Sequence, residues 1–359
     1  MESSVARHDN HFNLIRFVLA SLVILSHSPE IIDGDRHREL LTRAFGTISF
    51  GEFAVDGFFI LSGYLIVMSW HRRVSTADYL ARRVLRIYPG FVVAALVCAF
   101  VVGPIGSENA SGYLRGIQPI RLLSGLVRLE LAGVPASFPG THYASLNGSL
   151  WTLAYEFRCY LLVALLGLLG LYARRWTVAT LAAVLLVLSA LPDQGNFEPG
   201  RVIIALFGVP METIRLTACF LVGAAFWLYR DRVTIRTAGL IVVVPALIGC
   251  LFNARVATIG MAVFGGYLLL WLAFVPNHML SMYRRFPDVS YGVYLYAWPF
   301  QKLLIKAFDG IDPWTLSAIT WVVSIAAGYA SWMLVERRFV ARGRSRRAQS
   351  VQHASNVTT

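Results

Sequence analysis

The sequence predicts an all-α fold, a polytopic integral membrane bundle of about ten transmembrane helices with both termini cytoplasmic. Three observations carry that expectation. The 359 residues are 57% hydrophobic and 14% charged, with a mean hydropathy of +0.60, whereas soluble domains carry about 25% charged residues. Apolar residues come in long, repeated blocks, and a helix needs about 20 of them to cross the hydrocarbon of a bilayer. The net charge of +12, from 32 Lys+Arg against 20 Asp+Glu, is concentrated between those blocks. Basic connections at one membrane face explain it better than nucleic acid does, so no nucleic-acid partner is expected.

The expected spans lie near 12–28, 52–70, 87–105, 149–170, 176–191, 212–229, 238–252, 256–275, 289–307 and 314–335. The block 201–210 is too short to cross and reads as a re-entrant or interfacial piece. No small-residue cleavage site follows the first block, which reads as a retained helix rather than a signal peptide. The organisation is then a cytoplasmic N-terminus over 1–11, a membrane domain over 12–336 and a basic, disordered cytoplasmic tail over 337–359. Every second connection is rich in arginine: 72–86, Arg174-Arg175, Arg230 to Arg236, Arg284-Arg285 and the tail. That alternation is the positive-inside pattern and puts the long connection 104–148 outside. Its Gly and Pro residues predict turns and short helices. The four cysteines all fall in apolar blocks without a CxxC pair and read as small hydrophobes. The eight histidines are scattered, so no metal site is expected.

Ionisable residues inside a membrane domain are costly and are the first candidates for function. Arg16 and His27 are eleven residues apart, close to three helical turns, and share one face of the first helix. Asp56 opens the second span within VDGFFILSGYL, and Glu156 lies near the outer start of the fourth within GSLWTLAYEF. His27, Asp56 and Glu156 therefore fall at similar depth. An imidazole exchanges a proton near neutral pH, and a carboxylate on its other nitrogen fixes the tautomer, so His27 with Asp56 or Glu156 is the expected catalytic group. Which carboxylate faces the histidine is left open, and the plain alternative for each is a polar contact holding spans together. Arg82 and Arg86, spaced i,i+4, with Arg83 beside them, present guanidinium forks suited to a phosphate-rich ligand. Their plain role is to hold lipid headgroups and topology. Pro89 is read at the first turn of the third span, where a missing N–H is harmless. Tyr291, Tyr294, Tyr296 and Trp298 in the ninth span are candidates to line an acceptor or acyl channel, and Glu336 reads as a surface pair with the arginines that follow it.

Five segments carry a resemblance: Arg16 with ten residues before His27, VDGFFILSGYL at 55–65, RRVLRIYP at 82–89, SLWTLAYE at 149–156 and SYGVYLYAWP at 290–299. In that order the chain resembles the acyltransferase 3 family of polytopic membrane O-acyltransferases. The resemblance implies that His27 is the essential first-helix histidine and Arg16 its upstream partner. It further implies that Arg82, Arg83 and Arg86 form a basic loop for the acyl-CoA donor, acetyl-CoA above all, and that Glu156 is the acidic position after the SLW element. Two positions depart from the family pattern: Cys159-Tyr160 stands where many members have Phe-Tyr, and Ala297 where many have histidine. Little sequence follows the last span, so the extracytoplasmic SGNH-type domain that some relatives carry is not expected.

The function expected from these residues is transfer of an acyl group, acetyl first, from acyl-CoA to a hydroxyl of a surface carbohydrate or glycolipid at the bacterial cytoplasmic (inner) membrane. His27 acts as general base, or carries the acyl group itself, and the sequence leaves both open. The competing readings are acylation of a small lipid or secondary metabolite, a transporter or flippase without acyl chemistry, and a sensor or scaffold. Acceptor identity, acyl length and oligomeric state are not legible in the sequence.

Overall fold

The computed structural model describes residues 10–191, 204, 207–276 and 287–341. Among them the fold is all-helical, with no strand. Its principal helices are α1 (Phe12–Asp33), α2 (Leu40–Phe45), α3 (Phe50–His71), α4 (Thr76–Gly106), α5 (Ala110–Gly116), α6 (Pro119–Val127) and α7 (Trp151–Leu168). After them come α8 (Arg175–Ala190), α9 (Pro210–Leu228), α10 (Leu240–Leu251), α11 (Ala254–Phe274), α12 (Ser290–Ala307) and α13 (Pro313–Ala341). Seven of these, α1, α3, α4, α7, α9, α11 and α13, are long and apolar enough to cross a membrane. The apolar helices α8 and α10 are shorter, and α12, with Gln301, Lys302 and Lys306, is too polar for that group. Each of the ten expected spans falls on a helix. Half of the block 201–210 lies outside the described residues.

The chain divides into two compact units that interleave in sequence. One comprises the described residues of Met1–Leu19, Leu40–Arg72 and Tyr155–Pro287, the other those of Ala20–Glu39, Arg73–Ala154 and Asp288–Thr359. The division falls inside α1, after Leu19, and inside α7, after Ala154.

Within the first unit α3 and α9 cross closely. A Cβ on Gly63 would fall onto the carbonyl oxygen of Phe220, and one on Gly223 onto that of Ile60. Two helices can only approach so near where each presents a glycine, the small-residue packing that membrane helices use in place of a hydrophobic driving force. A serine cap begins α3. Ser49 Oγ accepts the Glu52 N–H while Glu52 accepts the Ser49 N–H, a reciprocal box that starts α3.

The second unit corrects three expectations. Ser75 caps α4, so the basic segment before the third span is helix rather than loop, and Pro89 lies mid-helix rather than at a first turn. α13 runs to Ala341, so the tail expected to begin disordered at 337 is helical for its first residues, and 342–359 lie outside the described residues. The connection after α4 forms the short helices that its Gly and Pro residues predict, α5 and α6, and folds back along α4. Tyr113 packs at Gly103, where a Cβ would strike its phenol ring. Ile117, Leu131 and Val134 pack against a buried cluster that includes Cys98 and Val102 of α4, and Tyr88 Oη donates to the Val127 carbonyl at 2.7 Å. The chain reverses at Leu129, in the left-handed region at φ 62°, and returns to donate from Phe138 N–H to Gly106 O at 2.9 Å. α6 buries Leu122 and Gly125 against the returning strand of chain and leaves Ile120, Leu123 and Val127 exposed.

Gly63→Ala is expected to lower the melting temperature of detergent-solubilised protein strongly, because a methyl overlapping a backbone oxygen forces α3 and α9 apart at a cost of about 1–3 kcal/mol or more. Gly249→Ala, whose Cβ meets nothing within 4 Å, serves as the unchanged control. Equal melting of the two variants would show that the close crossing is absent.

Candidate functional site

α1 continues through Pro29 to Asp33, one turn beyond its expected end. That extra turn carries Glu30, three residues after His27 and on the same face. His27 Nδ1 lies 3.2 Å from Glu30 Oε2, with the histidine side chain 18% exposed and the carboxylate 4%. The other Glu30 oxygen, Oε1, accepts Arg36 Nε at 2.8 Å, Arg36 Nη2 at 2.7 Å and the Tyr143 hydroxyl at 2.8 Å. One carboxylate thus faces four donor groups, an arrangement that holds it ionised and fixed. The Tyr143 phenol is pushed above its ordinary range, first by burial and then by its bond to Glu30. It therefore remains a proton donor at any physiological pH.

Trp298 completes this side of the site. Its ring meets His27 edge-on at 4.9 Å and Tyr143 edge-on at 5.6 Å, and its Nε1 donates to the Ser145 carbonyl at 3.2 Å. One turn further along α12, Gln301 Nε2 donates to Ile24 O and to Ser28 Oγ on α1. Pro29 has no N–H for the turn below it, and these side-chain bonds steady α1 where its own ladder is interrupted. With Nδ1 given to Glu30, Nε2 is the imidazole atom left to take a proton from an acceptor.

At the Arg82 to Arg86 turns of α4 in the same unit, the arginines are already engaged. Arg82 pairs with Asp78 at 2.5 Å, Arg83 lies over the Tyr79 ring, and Arg86 meets Asp288 at 2.6 Å and Glu336 at 3.8 Å. Glu336 is 2% exposed and accepts from Ser331, a buried member of this cluster rather than the surface pair expected. Tyr291 Oη donates to Ile87 O at 2.7 Å, and its ring lies under Arg86. Tyr294 shares a hydrogen bond with Thr152 and donates to Ser149 O, so these two tyrosines make interhelical bonds.

The first unit holds the other sequence candidates. Asp56, 2% exposed, pairs with Arg215 of α9 at 2.6 Å, and Arg215 also binds Glu212 at 2.7 Å. Glu156 accepts Ser62 Oγ at 3.0 Å and Tyr160 Oη at 2.5 Å. Arg16 lies 6.0 Å from the Phe58 ring centre. The carboxylate on His27 is thus Glu30, where the sequence pointed to Asp56 or Glu156. Glu30, Tyr143, Arg36 and Arg215 were missed. Only the (i, i+3) spacing of Glu30 from His27 signalled any of them, and the first span was expected to end near residue 28. No cluster of metal-ligating side chains occurs among the described residues.

A bundle of long apolar helices with buried ion pairs and a histidine–carboxylate pair defines an integral membrane protein equipped for proton transfer. The chain belongs to the acyltransferase 3 family: residues 9–337 match its acyltransferase domain model. It is similar to the "O-acetyl transferase" of Shigella phage Sf6, 28% identical over 93% of this chain and 96% of that protein. It is also similar to "Nodulation protein 10" of Rhizobium leguminosarum bv. viciae, 27% identical over 92% of this chain and 93% of that one. No solved structure matches. The protein is a membrane acyltransferase.

Removing one member of a buried ion pair costs about 3–5 kcal/mol, mostly because the other charge stays behind unpaired. Asp56→Ala is therefore expected to lower the melting temperature sharply, and Asp56→Ala with Arg215→Met to recover much of the loss. Failure of the double variant to recover would show that Asp56 does more than neutralise Arg215.

Proposed function

We propose that this acyltransferase moves an acyl group, acetyl first, from acyl-CoA to a hydroxyl of a surface carbohydrate or glycolipid, working in the bacterial inner membrane. The observation that carries the reading is the His27–Glu30 pair, with the carboxylate held by Arg36 and Tyr143. Its family and the printed name of the phage relative support the reaction class.

His27 Nε2 takes the proton of the acceptor hydroxyl as its oxygen attacks the thioester carbonyl carbon. The tetrahedral intermediate collapses with cleavage of the carbon–sulfur bond, and His27 returns the proton to the departing thiolate. The products are the ester and free CoA thiol, and no oxidant or metal enters the balance. Glu30 stays ionised throughout, keeps the ring in the Nδ1–H tautomer and stabilises the transient imidazolium. Arg82, Arg83 and Arg86 are the residues assigned to the donor phosphates, and Arg16 is assigned to the donor by the family resemblance. Guanidinium forks fit phosphate as they fit carboxylate. Because Arg82 and Arg86 hold Asp78, Asp288 and Glu336, donor binding involves an exchange of partners.

Membranes holding wild-type protein, given isotopically labelled acetyl-CoA, are expected to place label in a glycan or glycolipid recovered by mass spectrometry, and His27→Ala to place none. Glu30→Gln is expected to lower kcat by about 100-fold or more. Wild-type transfer by His27→Ala would sink the mechanism. Absence of label from every glycan fraction, with label in a small lipid, would move the acceptor to that class. Arg86→Gln is expected to raise the KM for acyl-CoA well above that of wild type and to leave the acceptor KM nearly unchanged. Equal increases in both would remove Arg86 from donor binding.

A further inference from the structure

One buried cation takes no part in this mechanism. Lys302 of α12 is 1% exposed. Its ammonium donates at 2.6 Å to Thr141 Oγ1 and at 2.6 Å to the Tyr143 carbonyl, and lies 4.9 Å from the Phe138 ring centre. These partners are two neutral oxygens and a ring face. Burying an ammonium against such partners is costly, and a methionine would fill similar space without that cost. The lysine is therefore explained by where its bonds go rather than by stability.

They go to a single turn of chain. Phe138 and Gly140 both take the left-handed region, at φ 59° and 76°, and Thr141 Oγ1 bonds the Phe138 and Tyr143 carbonyls from within. The same residue whose carbonyl Lys302 grips, Tyr143, puts its hydroxyl on Glu30, and Glu30 holds His27. Trp298, one helical turn before Lys302 on the same face of α12, touches both rings and bonds Ser145 just after the turn. Three side chains within little more than one turn, Trp298, Gln301 and Lys302, thus fix α1 and the Phe138–Ser145 segment against each other.

We propose that Lys302 is a positioning residue for His27, gripping the Phe138–Tyr143 turn so that the Tyr143 phenol sits on Glu30 and Glu30 on the imidazole. For its effect on rate the assignment rests on the acyl-transfer reading. For its effect on His27 it rests on geometry alone, and the two are separable by experiment.

Lys302→Met, Tyr143→Phe and the double variant are purified beside wild type. Each single variant lowers kcat by about 10- to 100-fold, the scale of a misplaced reacting group, while the KM for acyl-CoA stays near the wild-type value. The double variant is no slower than the slower single, because both act through one contact. A second readout needs no acyl transfer: His27 is carbethoxylated with diethyl pyrocarbonate at one fixed pH and its peptide quantified by mass spectrometry. Lys302→Met and Tyr143→Phe change the His27 rate by the same factor, and the double variant changes it no further. Thr141→Val, which removes one anchor of the ammonium and leaves its charge, moves the rate in the same direction and keeps the test usable should Lys302→Met fold poorly. An unchanged His27 rate in folded Lys302→Met and Thr141→Val overturns the assignment. So do additive effects in the double variant, which would mean that Lys302 reaches His27 by a route other than Tyr143. Coupled labelling changes in a protein that transfers no acyl group would uphold the positioning role and remove the function proposed above.

Discussion

Glu30 is a carboxylate placed in an apolar helix, and its charge is tolerable only because donors surround it. His27 supplies one, the Arg36 guanidinium two and Tyr143 the fourth. Each comes from a different piece of chain: the preceding turn of α1, the short helical turn after it, and the segment between α6 and α7. Satisfying this one buried charge therefore dictates where those pieces lie. The Phe138–Ser145 segment is tied down at both ends for the purpose, by Lys302 and by Trp298. A partly satisfied network of this kind would be worse than none, since an unpaired group in low dielectric bears the full desolvation cost.

The same rule organises the other unit. Asp56 and Arg215 are neutralised by each other, with Glu212 as a third member, while Glu156 is held by two hydroxyls. Around them α3 and α9 meet at Gly63 and Gly223 with no side chain between their backbones. Close backbone contact and internally balanced charge are complementary here: the first excludes water and lipid, and the second makes that exclusion affordable.

α4 links the chemistry of the second unit to its far end. The Arg82 to Arg86 turns carry three arginines among Asp78, Asp288 and Glu336. The 107–137 hairpin folds back along the helix as far as Tyr88, two residues from Arg86. This connection, rich in Gly and Pro, forms the short helices expected of it. It packs on α4 because Gly103 and Gly106 leave room for the Tyr113 and Phe138 rings.

Much of this was legible in the sequence by itself. Apolar blocks long enough to cross a bilayer fix the all-helical membrane class, since a chain in lipid must satisfy its backbone internally. The five ordered motifs, among them Arg16 with His27 and RRVLRIYP, point to the family that the whole-chain match shows. Local chemistry carried no further. The first span was expected to end near residue 28 and the third to open at Pro89, yet α1 runs on through Pro29, with side-chain bonds from Ser28 and Gln301 at Ile24, and α4 starts at its Ser75 cap. The early end expected for the first span hid Glu30, one turn past His27. Which cation meets Asp56, which phenol holds Glu30 and what Lys302 grips are long-range pairings, separated by 159, 113 and 161 residues. Sequence sets the depth and type of such groups, and only tertiary packing selects their partners, because a buried charge takes whichever opposite or donor group the fold brings within about 3 Å.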